Sequence, residues 1–496
     1  MTATTVPTLR RRLDWSAADP SERRAWLTAL RAPTTEADVA PILDAVRGAG
    51  DVALRELTLR FDGATLDDLW VPPAEMDAAA ATLDRGLLDA IDASIAAVRR
   101  FHADQRDALR GERTVRTHPG VTAWRRWAPL ERVGAYVPGG RAPLGSSVVM
   151  VGVPARLAGV DEMIIATPPN PEGRVAPVIL AAALRVGIDR LLRVGGAQAI
   201  AALAYGTESV PAVDKIVGAG NAWVTSAKRA VSADVAIDLP AGPSECLIVA
   251  DSGADPDFVA LDLLAQAEHG PDSIAVLVTD SAALLAAVEQ RLVDAAATLS
   301  TGERALDTLR AHGTVVVVDS VEDAMAVADA IAPEHLSLQC ADADAWAARV
   351  RHAGAVFIGP WSAVAAGDYA TGTNHVLPTG GAARAYGGLG VETFGRWIEL
   401  QRLDPAGARS VAGTVDALAA AEGLAAHAAS VRARADRAGE GTAPADAAAT
   451  LLRWPEPVEA YPAEPSDDDL AVTLDLPIDR IARLDLNTLF LNFEHQ

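Results

Sequence analysis

Hydrophobic and polar positions change period along this chain, and the changes mark out its architecture. Apolar residues recur at helical spacing, with charges opposite, over 35–46 and 74–106, so the first part reads as helical. From about Val133 short runs rich in Val and Ile alternate with Ala-rich helical segments, the pattern of strand–helix–strand units. Strands are expected at 163–166, 190–194, 215–217 and 235–237, then in a second series at 247–250, 275–279, 314–318 and 355–358. Helices fit between them at 175–186, 257–269, 282–297 and 321–331. Two such series predict an α/β fold with two parallel sheets, each covered by helices. The crossing between them is expected near Gly242, Pro243 and Ser244, and a Gly-rich stretch after Pro378 leads into a helical piece at 412–437.

Composition narrows the class of function. A net charge of −23 argues against a phosphate backbone or an anionic membrane as partner, so neither nucleic acid nor membrane is expected. About eight of those charges lie after Pro455, in a Pro- and Asp-rich stretch that reads as an appendage. Cys246 and Cys340 are too few for a disulfide framework, and Arg10 to Arg12 precede no apolar run of a signal peptide. A cytoplasmic protein is the expectation.

Four segments carry candidate chemistry. Gln266 and His269 stand three apart at a helix end stopped by Gly270 and Pro271, so an amide oxygen and an imidazole share one edge and could hold a divalent metal; a plain polar helix end is the equal alternative. Pro333 ends the next helix and favours an extended Ala332, which would send Glu334 and His335 to opposite sides. The segment 367–378 is a loop presenting Asp368, Asn374 and His375. Glu422 and His427 lie inside an Ala-rich helix, weak evidence alone. No complete G-x-G-x-x-G opens a helix; the turns at Gly195-Gly196 and Gly218-Ala219-Gly220-Asn221 each follow a strand and could approach a phosphate.

In order, these segments together with VGAYVPGG (133–140), VGGAQAIAALAYGT (194–207), VDKIVGAGN (213–221) and AGPSE (241–245) resemble the histidinol dehydrogenase family, over roughly residues 25–435. The resemblance implies two incomplete Rossmann-like domains plus helical N- and C-terminal dimerisation segments. It implies one zinc per subunit held by Gln266, His269, Asp368 and His427, with L-histidinol completing the coordination. It makes Glu334 and His335 the acid–base pair. Ser244 and Glu422 become substrate contacts beside His335 and the zinc ligands, and Tyr136, Gln198 and Asn221 become NAD contacts. In a homodimer Glu422 and His427 would come from the neighbouring subunit. Ala219 stands where the family commonly has Pro, and His118 and His375 receive no role. The domains implied are a helical arm at 1–30, a first Rossmann-like domain with the zinc and catalytic site from 31–135 with 245–385, a second Rossmann-like, NAD-binding domain at 136–244, a helical dimerisation segment at 386–440, and a disordered acidic, Pro-rich tail at 441–496. Other readings are a related zinc/NAD dehydrogenase of another small polar alcohol, or a zinc-binding protein that has lost catalysis; intact Glu334 and His335 oppose the latter.

Overall fold

The structure, a computed structural model, describes residues 9, 11–31, 37–109, 111, 113–140, 143–239 and 242–439. The expectation for 441–496 lies outside the described residues, as do residues 1–8 of the arm. The strands in chain order are β1 (Arg11–Asp14), β2 (Val115–His118), β3 (Val121–Pro129), β4 (Arg132–Tyr136), β5 (Glu162–Ala166), β6 (Arg190–Leu192) and β7 (Lys215–Val217). They continue as β8 (Ala236–Ile237), β9 (Glu245–Ala250), β10 (Ile274–Thr279), β11 (Thr314–Val317), β12 (His335–Gln339), β13 (Ala355–Ile358) and β14 (Gly395–Leu403).

The first parallel sheet has the order β6-β5-β4-β7-β8. The chain moves outward from β4 to β6, then returns across β4 to β7 and β8. That reversal opens a crevice at the carboxyl ends of β4 and β7, the usual ligand position in such sheets. The second sheet, β1-β11-β10-β9-β12-β13, repeats the scheme around β9, with β1 added along the edge of β11. Two parallel sheets therefore stand as expected, the chain crossing between them after β8. Each expected strand lies within two residues of its counterpart.

Three groupings differ from the sequence reading. The arm is a strand and a helix, β1 followed by Pro20–Arg31, and Trp15 and Leu30 join the core beside Val316 and Met325. The sequence reading groups residues 31–135 with 245–385, but the helix Ala40–Asp62 buries Ile42, Val46 and Leu54 against Ile164 and Ile216 of the first sheet and Ile200 of the helix Gly196–Tyr205. The reason is coverage. The helices Gly196–Tyr205 and Ala222–Val231 are ten residues each and leave part of that face for a helix from earlier in the chain. The stretch before residue 72 then runs beside β6, Val71 N–H donating to Leu191 O and Arg193 N–H to Leu69 O, both at 2.9 Å. Finally, 386–440 begins with β14, which pairs antiparallel with β3 in a third sheet, β14-β3-β2, before the helices Pro405–Ala421 and Ala425–Ala438. Arg125 lies over Trp397 at 4.3 Å there, covering aromatic surface with a cation. The long 74–106 periodicity resolves into two helices, Pro73–Ala80 and Arg85–Leu109. Among the described residues no helix is long and apolar enough to cross a membrane.

Candidate active site

The catalytic candidates gather at the amino ends of β9 and β12, neighbours at the centre of the second sheet. Their register sets His335 against Cys246, and so Glu334 beside Glu245. Pro333 does end the preceding helix, but Ala332 is not extended. It turns left-handed (φ 54°, ψ 63°), its N–H still bonding Ala328 O at 2.8 Å. That conformation costs a non-glycine residue about 1–2 kcal/mol, and it drops Glu334 into the sheet end. The expected divergence of Glu334 and His335 does not occur: His335 Nδ1 lies 3.5 Å from Glu334 Oε2.

Both groups are tuned by burial. Glu334 Oε2 accepts Ser244 Oγ–H and Glu245 N–H, each at 2.8 Å. Burial nevertheless pushes its carboxyl up to about 7, against those hydrogen bonds and the nearby His269. His335 Nδ1 is 3.1 Å from the Glu245 carbonyl oxygen. A carbonyl only accepts, so Nδ1 carries the hydrogen and Nε2 keeps its lone pair. Burial lowers the imidazole pKa and keeps the ring neutral.

The metal candidates come from two helices. Gln266 is buried on Pro256–Glu268, and neither its Oε1 nor its Nε2 has a hydrogen-bond partner. His269 caps that helix with Nδ1 3.2 Å from Gln266 O, which leaves Nε2 as its donor. Asp368 sits on the short helix Val364–Tyr369 rather than on a loop. Burial raises its pKa, opposed by His335 and His269. His427 does not join them. Glu422 and His427 are split by a turn, Glu422 closing Pro405–Ala421 and His427 opening Ala425–Ala438, and both face solvent. Among the described residues no three His, Cys, Asp or Glu side chains converge as a metal site. Even so, two enclosed and unpartnered Gln266 atoms beside a free His269 nitrogen and a desolvated carboxylate fit a divalent ion that takes a further donor from elsewhere.

Of the two remaining loop residues, Asn374 is structural, donating to Met150 O at 2.7 Å. His375 Nδ1 lies 3.2 Å from Asp368 O, and its Nε2 lies 3.2 Å from Ser147 Oγ. Burial holds His375 down to about 4, so the ring is neutral and accepts the Ser147 hydroxyl. His118 is exposed on β2.

The cofactor candidates line the crevice of the first sheet. Tyr136 ends β4, and its OH accepts Gly196 N–H at 3.2 Å; burial pushes its pKa to about 12. Gln198 is buried in the first turn of Gly196–Tyr205. Gly218 has φ +97°, and a side chain there would strike the Tyr136 carbonyl. Asn221 Oδ1 caps Ala222–Val231, accepting Trp223 N–H at 3.1 Å and Val224 N–H at 3.2 Å, so its NH2 is the group left for a ligand.

Two features were missed by sequence reasoning. Glu245 accepts Gly380 N–H at 2.8 Å, and burial with the charge of Glu334 pushes it to about 8. An acid opening the apolar strand ECLIVA was its signal. Lys228 and Asp238 form an enclosed ion pair at 2.5 Å that grips Gly218 from both sides, Lys228 Nζ donating to its C=O at 2.6 Å and its N–H donating to Asp238 at 2.7 Å.

A family model described as histidinol dehydrogenase matches residues 28–435. The histidinol dehydrogenase of Xanthomonas campestris pv. campestris (strain 8004) is 46% identical over 428 residues, covering 85% of this chain and 98% of that protein. That of Methanosarcina barkeri (strain Fusaro / DSM 804) is 44% identical over 396 residues, covering 80% and 91%. The crystal structure of histidinol dehydrogenase from Elizabethkingia anophelis aligns with a TM-score of 0.82 at 36% identity, over 88% of this chain and 99% of that one. By these matches the chain is an oxidoreductase and belongs to the histidinol dehydrogenase family.

Proposed function

We propose that the chain oxidises L-histidinol through L-histidinal to L-histidine, in two successive NAD-linked steps at one zinc-dependent site. The observation that carries this reading is the buried pair at the head of β12, a neutral imidazole with a free Nε2 beside a carboxyl near 7. Bound NAD+ would accept a hydride in each oxidation, and zinc would orient the imidazole and amine of the substrate. In the first step His335 Nε2 takes the alcohol proton. In the second, Glu334 takes a proton from the water that adds to the aldehyde; a base with a pKa near 7 suits that task at neutral pH. Ser244 holds Glu334 by its hydroxyl. Gln266, His269 and Asp368 supply three zinc donors, and His427 of a second copy supplies the fourth with Glu422 beside it. Their exposure on the helical pair supports that assignment.

The test is NADH formation from L-histidinol and NAD+, followed by the absorbance of the reduced nicotinamide, with and without a chelator. Turnover that depends on zinc is expected. His335→Asn should abolish turnover while bound zinc is retained. Absence of NADH formation by zinc-loaded protein would falsify the proposal.

A further inference from the structure

One acid near the first sheet's crevice has an oxygen with no hydrogen-bond partner among the described residues. The helix Ala40–Asp62 ends there, packed on Gly196–Tyr205. Its last residue, Asp62, is close enough to Tyr136 for its charge to raise the phenol pKa. Asp62 Oδ2 is fully enclosed and meets no hydrogen-bond donor. Burial pushes its carboxyl up to about 6. The neighbouring polar groups are engaged: Tyr136 OH with Gly196, Asn221 with its helix, Asp238 with Lys228. An enclosed, ionised oxygen left unpaired is costly, and hydroxyl donors of a ligand would relieve it.

The fold says which hydroxyls these are. Dinucleotide folds place an acid after the second strand of the unit, where it accepts hydrogen bonds from ribose. Here the second strand is β5, and it runs into Thr167, Pro168 and Pro169 with no acid. Phe61, beside Asp62, is about half exposed, with the Arg60 guanidinium 5.1 Å from its ring centroid.

We infer that Asp62, delivered by a helix from outside the sheet's own strand–helix units, accepts the ribose hydroxyls of the dinucleotide and selects against a 2′-phosphate. This rests on the proposal that NAD+ is the oxidant. Two hydroxyl donors satisfy the carboxylate, whereas a phosphate would face a like charge in a poorly solvated corner.

The experiment measures binding of NAD+ and of NADP+ to the full chain without histidinol, by tryptophan fluorescence and titration calorimetry. Wild type is compared with Asp62→Asn and Asp62→Ala, and the thermal midpoint of each unliganded protein is recorded. Both variants should bind NAD+ roughly ten- to a hundredfold more weakly, the size of a lost hydrogen bond to a charged group. NADP+ binding should hold or improve, and the unliganded midpoint should not fall, because an unpaired enclosed charge has gone. Equal weakening of both dinucleotides overturns the inference. So does a lowered midpoint with an unchanged NAD+ to NADP+ preference, which would make Asp62 structural. A wild-type protein that binds neither dinucleotide would instead sink the proposed function.

Discussion

Replacing Ser244 with Ala removes one of two donors that hold the Glu334 carboxylate, and the consequence can be worked through. The bond is a 2.8 Å contact to a buried, ionisable oxygen. Hydrogen bonds to charged groups contribute about 1.5–3 kcal/mol. At 1.36 kcal/mol per unit, losing it raises the Glu334 pKa from about 7 to about 8–9. In the proposed role Glu334 works as a base only when ionised, so the expected effect is lost activity at neutral pH that returns in alkali. The ionised fraction at pH 7 drops from about one half to between a tenth and a hundredth, a fall of about five- to fiftyfold in kcat. The assay is oxidation of L-histidinal by saturating NAD+ across pH 6–10 (an approximate working range around these pKa values), wild type against Ser244→Ala. The acid limb should move up by about one to two units, with the alkaline plateaus approaching each other. A uniform loss of kcat with an unmoved limb would refute the reasoning and make Ser244 a substrate contact alone.

Two further outcomes follow from other enclosed polar groups. Lys228→Met strands Asp238 as an enclosed charge and frees the Gly218 turn, so the urea midpoint should fall by the equivalent of about 3–5 kcal/mol, and Lys228→Met with Asp238→Asn should recover much of it; additive losses in the double variant would contradict this. Gln266→Leu removes two unpartnered enclosed polar atoms, so in the presence of chelator its thermal midpoint should match or exceed wild type, while bound zinc measured by atomic absorption should drop. A lower midpoint without metal would show that the amide has a structural partner.

The sheets were legible because their central strands are continuous Val, Ile and Ala runs that no helix pattern imitates, as in 274–279 and 314–317. β12 was not, since HLSLQ buries His335, Ser337 and Gln339, polar residues that read as a loop when their cross-strand neighbours are unknown. β3 and β14 escaped for a different reason: their Arg and their buried or half-buried Trp pair across strands, and that pairing is invisible along either one. Within the site, residue types at helix ends pointed to Gln266 and His269. The convergence of Glu334 with His335 depended on a left-handed Ala332, which proline statistics disfavour. Asp62 ends an amphipathic helix at an ordinary surface-like position, and only the packing of that helix on a distant sheet encloses it.

The short strand β1 has a consequence for handling the protein. It covers the outer edge of β11, whose sequence TVVV would otherwise expose a row of unpaired main-chain groups on an apolar strand. Arg12 pairs with Glu289 of the helix Ala282–Ala296 at 2.6 Å, and the charges of Arg11, Arg12 and Asp14 leave the new edge a poor template for another chain. The segment thus guards solubility without touching the chemistry. Clipping or displacing it would leave every catalytic side chain in place and still open a site for strand addition between molecules, so loss of protein to aggregation would precede loss of specific activity.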